Sequence, residues 1–163
     1  MWRRPREDRV ALVGRLYDAH GAALYRYALI LLADHAAAED AIQQVFVALL
    51  RRPVHLENEL HYLRRSVRNE CYSALRRRRR VGTGERPLLE LLAPERIGHD
   101  ERITLERGIR ALPADQREVV HLHVFEGMTL QEVAAATGES PNTVASRYRY
   151  AIDRLRKSIV ELG

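Results

Sequence analysis

The sequence contains very few of the residues that cross-link or interrupt a chain. Cys71 is the single cysteine among 163 residues, so no intramolecular disulfide and no cysteine-based zinc cage can form. Only nine glycines and six prolines are present, whereas 46% of the residues are hydrophobic. This composition is typical of a globular chain rich in helix formers and excludes a fibrous or disordered one. A reducing compartment fits the cysteine content.

Long apolar stretches are also missing. The most apolar run extends from Ala22 to Ala33 and contains Arg26, whereas a membrane-spanning helix needs about 20 apolar residues. The first residues are charged and lack the apolar segment of a secretory signal. We therefore expect a cytoplasmic protein without membrane insertion.

Acidic residues are scarce in one particular segment. Between Arg64 and Arg80 the chain has eight arginines and one glutamate, Glu70, which gives this segment a net charge of +7. The whole chain carries +5, so the remainder carries −2. Such clustering is typical of a site for a polyanion, although a solvated basic helix end would produce the same pattern.

The periodicity of the apolar residues predicts the fold class. No convincing alternating strand pattern is visible, and apolar residues recur at helical spacing, as in Ile42, Val45, Phe46, Leu49 and Leu50, which are expected on one face of a helix. Glycine and proline interrupt this pattern between residues 81 and 100. We predict an all-α protein with two small helical domains, residues 1–80 and 101–163, joined by a linker at 81–100.

Within the first domain, the spacing predicts helices over about 10–32, over a segment ending at Arg51-Arg52-Pro53, and over 62–79. The last of these is the basic helix. Its buried stripe is predicted to contain Leu63, Val67, Cys71 and Leu75, at intervals of four residues. Cys71 is therefore interpreted as a core residue and not as a nucleophile.

The second domain contains the sequence features of a helix-turn-helix. Thr129-Leu-Gln-Glu132 has the form of a capping box, which predicts a short helix over 130–136. Gly138 can adopt positive φ in the turn, Ser140 can cap the next helix, and Pro141 suits its first position. A short helix, a turn with glycine and a capped second helix together predict a DNA-binding motif.

The faces of the last helix follow from 100° per residue. We expect one face to be core, and it comprises Val144, Tyr148, Ala151, Ile152, Leu155 and Ile159. The opposite face of the first turns is expected to enter the major groove, because arginine suits guanine edges and asparagine suits adenine. This DNA-binding face comprises Asn142, Ser146, Arg149 and Tyr150, flanked by Thr143 and Arg147.

These segments resemble a known family. Leu112-Pro-x-x-x-Arg117-Glu-Val-Val120, Thr-Leu-Gln-Glu-Val-Ala134 and Thr143-Val-x-Ser-Arg147 resemble region 4 of bacterial sigma factors. Leu24-Tyr-Arg-Tyr-Ala28, Ala38-Glu-Asp-Ala-Ile-Gln-Gln-Val-Phe46 and Tyr62-Leu-Arg-Arg-x-x-Arg-Asn69 resemble region 2. With only these regions and a linker, the chain is similar to sigma factors of the extracytoplasmic-function group.

The resemblance implies partners and residue roles. Region 2 would dock on the β′ clamp helices of core RNA polymerase through Asp40, Gln43 and Gln44, and its basic helix would bind and open the minus-ten element. The matching residues there are Asn69, Arg76, Arg77, Arg78, Arg79 and Arg80. Region 4 would bind the β flap and read the minus-thirty-five element of promoter DNA. An anti-sigma factor is a further expected partner, and no cofactor is expected.

Two other interpretations account for parts of the sequence. A stand-alone helix-turn-helix regulator would account for residues 101–163, but it leaves the Asp40–Gln44 segment and the arginine cluster without a purpose. An enzyme is disfavoured because His121 and His123 are two residues apart, whereas metal ligands on a helix lie three or four apart. No phosphate-binding glycine loop is present either, so we expect no catalytic and no metal-binding residue.

Overall fold

The computed structural model describes residues 6–52, 56–81 and 100–161, and the regular structure within these ranges is helical. The all-α prediction is confirmed. The helices are α1 (Arg6–Leu32), α2 (His35–Arg51), α3 (Glu59–Val81), α4 (Asp100–Ala111), α5 (Ala114–Val120), α6 (Leu130–Thr137) and α7 (Pro141–Val160), and a π-helical turn (His121–Phe125) continues α5. None of the helices in these ranges has the length and apolar character needed to cross a membrane.

The first three helices pack on one another in a bundle. Asp34 separates α1 from α2 and caps α2, because its Oδ1 accepts from the Ala37 backbone N–H at 3.1 Å. The predicted stripe of α3 is confirmed for Leu63, Val67 and Cys71, which are fully buried. Burial raises the pKa of the Cys71 thiol to about 12, which agrees with its interpretation as a core residue.

The remaining helices pack around α7, which contacts α4, α5 and α6. The predicted core face of α7 is confirmed at Val144, Ala151 and Leu155, which are buried. Tyr148 and Ile152 are partly buried against the same clusters. The prediction was wrong for Ile159, which lies in the last turn of α7 and is 50% exposed, because no helix within the described ranges covers that side of the turn.

The two helical units share a hydrophobic core. One cluster of buried residues includes Leu24 and Leu31 of α1 and Val67 of α3, together with Val119 of α5 and Val133 of α6. Contacts of α1 with α5 and of α3 with α6 form this junction. The proposed linker at 81–100 lies almost entirely outside the described residues.

Candidate nucleic-acid and polymerase interfaces

The helix-turn-helix is held by local hydrogen bonds. The capping box is formed, since Glu132 N donates to Thr129 Oγ1 at 3.1 Å and Thr129 N donates to Glu132 Oε2 at 2.7 Å. Gly138 ends α6 with φ of +73°, a conformation that favours glycine. Ser140 Oγ then accepts from Thr143 N at 3.1 Å and starts α7. The turn prediction is confirmed in each of these details.

The outer face of α7 presents polar and aromatic groups. Asn142, Arg149 and Tyr150 are exposed, and Ser146 is partly exposed. The Arg149 guanidinium lies 5.4 Å from the centroid of the Tyr150 ring, a cation–π contact on the protein surface. The planar Arg149 guanidinium is thereby held beside the exposed Tyr150 ring. Both residues belong to the second helix of the helix-turn-helix, the helix that enters the major groove in such motifs.

Arg147, which the sequence also suggests for DNA, has partners inside the protein. Its Nε lies 3.2 Å from Asp115 Oδ2, and its Nη1 lies 3.3 Å from Glu139 Oε1. The side chain is 23% exposed. Arg147 therefore connects α7 to α5 and to the helix-turn-helix turn, and its charge is compensated by two carboxylates. Thr143 is similarly engaged, since its Oγ1 lies 2.8 Å from Ser140 Oγ.

The arginines of α3 point in two directions. Arg76, Arg77 and Arg79 are exposed, as is Asn69 about two to three turns earlier. These four are the predicted DNA contacts that the helix presents to solvent. The side chain of Arg80 lies outside the described part of the structure.

Arg78 faces the protein instead. Its Nη1 donates to the Leu32 carbonyl at 3.0 Å and its Nη2 to Asp34 Oδ2 at 3.0 Å. The last turn of α1 contains no basic residue of its own, and the carbonyls at the end of a helix need donors. Arg78 of α3 supplies such a donor to the end of α1. It thereby stabilises the α1–α2 corner, the place where α1 ends and α2 begins. Spacing along α3 did not reveal this role.

The residues suggested for polymerase lie on the outer face of α2. Asp40, Gln43 and Gln44 are exposed, opposite the buried Ile42, Val45, Phe46 and Leu49. Leu50, which was expected on the same apolar face, is 40% exposed at the end of α2. Their side chains form no hydrogen bond or ion pair within the ranges that the structure covers. An open groove of about 350 Å³ beside them, between α2 and α3, is lined by Asp40, Gln44, Glu70 and Arg77 among others.

His121 and His123, the two histidines at issue for metal binding, have different partners in the fold. His121 is buried with its ring stacked 6.0 Å from that of Tyr27, whereas His123 Nδ1 lies 2.6 Å from the Met128 carbonyl oxygen. Burial lowers the pKa of His121, and Glu126 opposes that effect at 3.3 Å from its Nε2. In the described residues, no three His, Cys, Asp or Glu side chains gather as a metal site would require.

The chain matches two family descriptions in succession. Residues 16–81 match sigma-70 region 2, and residues 102–155 match sigma-70 region 4. The first match begins within α1 and extends to the end of α3, and the second begins within α4 and ends within α7. A stand-alone helix-turn-helix regulator is therefore not favoured, because it would have no need of the first region.

Characterised proteins and a solved structure agree with these matches. The chain is 34% identical to the RNA polymerase sigma-E factor of Streptomyces coelicolor, over 85% of this chain and 80% of that protein. It is 29% identical to the ECF RNA polymerase sigma factor SigL of Mycobacterium tuberculosis, over 94% and 92%. The structure resembles the sigma factor RpoE of Bartonella quintana, solved with the anti-sigma factor NepR, with a TM-score of 0.69, 25% identity and coverage of 90% and 95%. The chain therefore belongs to the sigma-70 family of RNA polymerase sigma factors, in its extracytoplasmic-function group.

Proposed function

We propose that this sigma factor reads the minus-thirty-five element through the outer face of α7 and contacts the minus-ten region through the exposed half of α3. The observation that carries the proposal is the exposed group Asn142, Arg149 and Tyr150 at the start of a fully formed helix-turn-helix. In such motifs the N-terminal part of the second helix contacts base edges. The chain acts as an initiation factor that brings core RNA polymerase to promoters.

Arg149 is the strongest candidate for base recognition. A guanidinium can donate two parallel hydrogen bonds to guanine O6 and N7, and asparagine can make the matching pair to adenine. Arg149 is free to do so because its only described side-chain contact is the Tyr150 ring. Arg147, in contrast, would first have to release Asp115 and Glu139, so we propose that it positions α7.

Along α3, Arg76, Arg77 and Arg79 are proposed to bind phosphates, and Asn69 to contact the opened strand. Phosphate contacts by arginine fix the register of a protein on DNA and depend on salt. Arg76 Nη2 donates to Ser73 Oγ at 3.0 Å, a weak restraint that a phosphate could replace. Arg78 is proposed to stabilise the packing of α3 on the α1–α2 corner and not to contact DNA.

The outer face of α2 is proposed as the docking site for the β′ clamp helices. Asp40, Gln43 and Gln44 offer one carboxylate and two amides without internal partners in the described ranges. Region 4 is proposed to contact the β flap, and an anti-sigma factor is a proposed regulator because the similar Bartonella protein binds one. An initiation factor of this kind acts by binding and not by catalysis. We propose that it acts in the cytoplasm, together with the polymerase.

The test uses holoenzyme reconstituted from core polymerase and the full chain. Transcription is measured from a promoter library randomised across the minus-thirty-five element. Arg149→Ala should lose about 1–3 kcal/mol of discrimination at one base pair and little elsewhere. Arg156→Ala is the matched control, because Arg156 is an exposed arginine of α7 two turns further from the turn. Unchanged preferences in folded Arg149→Ala would refute base reading by this residue.

A further inference from the structure

Arg149 and Tyr150 are consecutive residues on the outer face of α7, and their side chains contact each other. The Arg149 Cζ atom lies 5.4 Å from the centroid of the Tyr150 ring, a distance at which a guanidinium is attracted to an aromatic ring. Tyr150 is 53% exposed. Its ring therefore contributes little to the packing of α7 on the rest of the chain, and its described contact is with the arginine beside it.

An acidic residue lies one turn further along the same face. Asp153 is four residues after Arg149 and three after Tyr150, spacings at which side chains on a helix surface can meet. Asp153 is exposed, and its carboxylate forms no hydrogen bond or ion pair within the described ranges. The Arg149 guanidinium thus lies beside a neutral ring, although a carboxylate is available to it one turn away.

Helical geometry places these three residues on the surface that faces away from the core. With 3.6 residues per turn, Arg149 and Tyr150 lie on either side of the direction that points directly away from the buried face of α7. Asp153 lies between them, one turn later. Both possible neighbours of the guanidinium therefore belong to the face that is proposed to enter the major groove.

Another arginine of the same helix shows the effect of nearby carboxylates. Arg147 lies 3.2 Å from Asp115 through its Nε and 3.3 Å from Glu139 through its Nη1, and its side chain is 23% exposed. Its donors are directed to these two acids. An arginine of α7 that meets a carboxylate is thus bound within the protein, whereas Arg149 is not.

The two possible neighbours of Arg149 have different consequences for base recognition. A carboxylate accepts hydrogen bonds from the same N–H groups that would donate to guanine O6 and N7. An aromatic ring attracts the positive charge through its face, and it leaves the N–H groups at the edge of the guanidinium free to donate. An arginine held against a ring can therefore read a base directly, whereas one paired with Asp153 must first break that ion pair.

We propose that Tyr150 is a positioning residue, which holds the Arg149 guanidinium against its ring and away from the Asp153 carboxylate, so that the arginine remains available to a guanine. This inference rests on the proposed reading of the minus-thirty-five element by α7. It assigns Tyr150 and Asp153 opposite effects on the guanine preference of Arg149, one favourable and one unfavourable.

The first measurement is the base preference of reconstituted holoenzyme on the library randomised across the minus-thirty-five element. Tyr150→Leu should reduce the guanine preference at the base pair that depends on Arg149 by about two- to fivefold, the value of an exposed cation–π contact. Tyr150→Phe is the matched control, because it keeps the ring and removes only the hydroxyl, and it should retain the wild-type preference. Thermal unfolding should be the same for both variants, since the side chain is exposed.

Removal of the competing carboxylate is the decisive variant. In Tyr150→Leu/Asp153→Asn the released Arg149 no longer meets an acid at that position, so the guanine preference should return towards the wild-type value. A purely structural role of Tyr150 would not be rescued by a change of charge one turn away. Because Asp153→Asn also strengthens the attraction to all DNA, the variants are compared by their preference among bases and not by their total activity.

The second measurement uses the full chain without DNA. The ring current of Tyr150 should shift the NMR resonances of the Arg149 Cδ protons. This shift should disappear in Tyr150→Leu and persist in Tyr150→Phe. The contact between ring and guanidinium is thereby tested independently of promoter recognition.

Three results would overturn the positioning role of Tyr150. The first is a Tyr150→Leu variant that changes the preference at a different base pair only, since Tyr150 would then read a base itself. The second is a double variant with Asp153→Asn that stays as impaired as Tyr150→Leu, and the third is an equal Arg149 resonance position in the wild type and Tyr150→Leu. Unchanged preferences in Arg149→Ala would instead refute the proposed function, and the NMR shift would remain.

Discussion

Replacing Arg78 by alanine separates structural from DNA-binding arginines in the cluster of α3. Arg78 is the member that turns inward, where its guanidinium bridges the Leu32 carbonyl and the Asp34 carboxylate. Arg79, its neighbour, is exposed and makes no side-chain hydrogen bond or ion pair within the described ranges. Sequence alone treats the two as equivalent. The structure predicts opposite phenotypes for Arg78→Ala and Arg79→Ala.

The magnitude follows from the two contacts of Arg78 described above, to the Leu32 carbonyl and to Asp34. The side chains of Arg78 and Asp34 are 34% and 32% exposed, so solvent screens the ion pair and limits it to about 0.2–1 kcal/mol. The hydrogen bond to the helix-end carbonyl adds about 1 kcal/mol. Arg78→Ala should therefore cost about 1–2 kcal/mol of the free energy of unfolding. For a chain of this size that corresponds to a fall in Tm of about 2–8 °C.

The assay pairs thermal unfolding with salt-dependent promoter binding by holoenzyme. Arg78→Ala should lower Tm and leave the slope of log affinity against log salt unchanged. Arg79→Ala should keep Tm and reduce that slope by about 0.9, the value of one lost phosphate contact. A wild-type Tm together with a reduced salt slope for Arg78→Ala would refute the structural role, since Arg78 would then be bound to DNA and not to the α1–α2 corner.

Two further predictions concern buried groups. Burial lowers the pKa of His121, Arg26 and Arg64 reinforce this shift, and Glu126 opposes it. As the pH falls below about 6.5, the unfolded chain therefore binds a proton at His121 before the folded chain does. The free energy of unfolding measured in urea titrations should decrease from pH 7 to 5.5, and His121→Phe, which retains a ring, should weaken that decrease. An unaltered pH profile in this variant would exclude His121 as the cause. Burial raises the pKa of Cys71 to about 12, so its thiol should not react with a thiol reagent at pH 8 in the native chain and should react fully in urea. Rapid reaction of Cys71 in the native chain would contradict its burial.

The sequence by itself determined the local elements, because their causes are local. The capping box at Thr129, the positive φ of Gly138 and the Ser140 cap need only residues within one turn of each other, and all three are present as predicted. Helical periodicity likewise placed Val67 and Cys71 of α3, and Val144 of α7, in the core. The identities on the outer face of α7 follow from the same periodicity.

The tertiary structure alone decided which charged residues are available to a partner. Arg78 and Arg117 turn inward because α1 ends without a base of its own, so its last carbonyls take donors from α3 and α5. Glu118 is buried because Tyr27 and Arg68, 91 and 50 residues away along the chain, converge on it. Such pairings depend on how helices from two domains pack, and a charge has the same sequence signature whether it meets water, a nucleic acid or an opposite charge inside the protein.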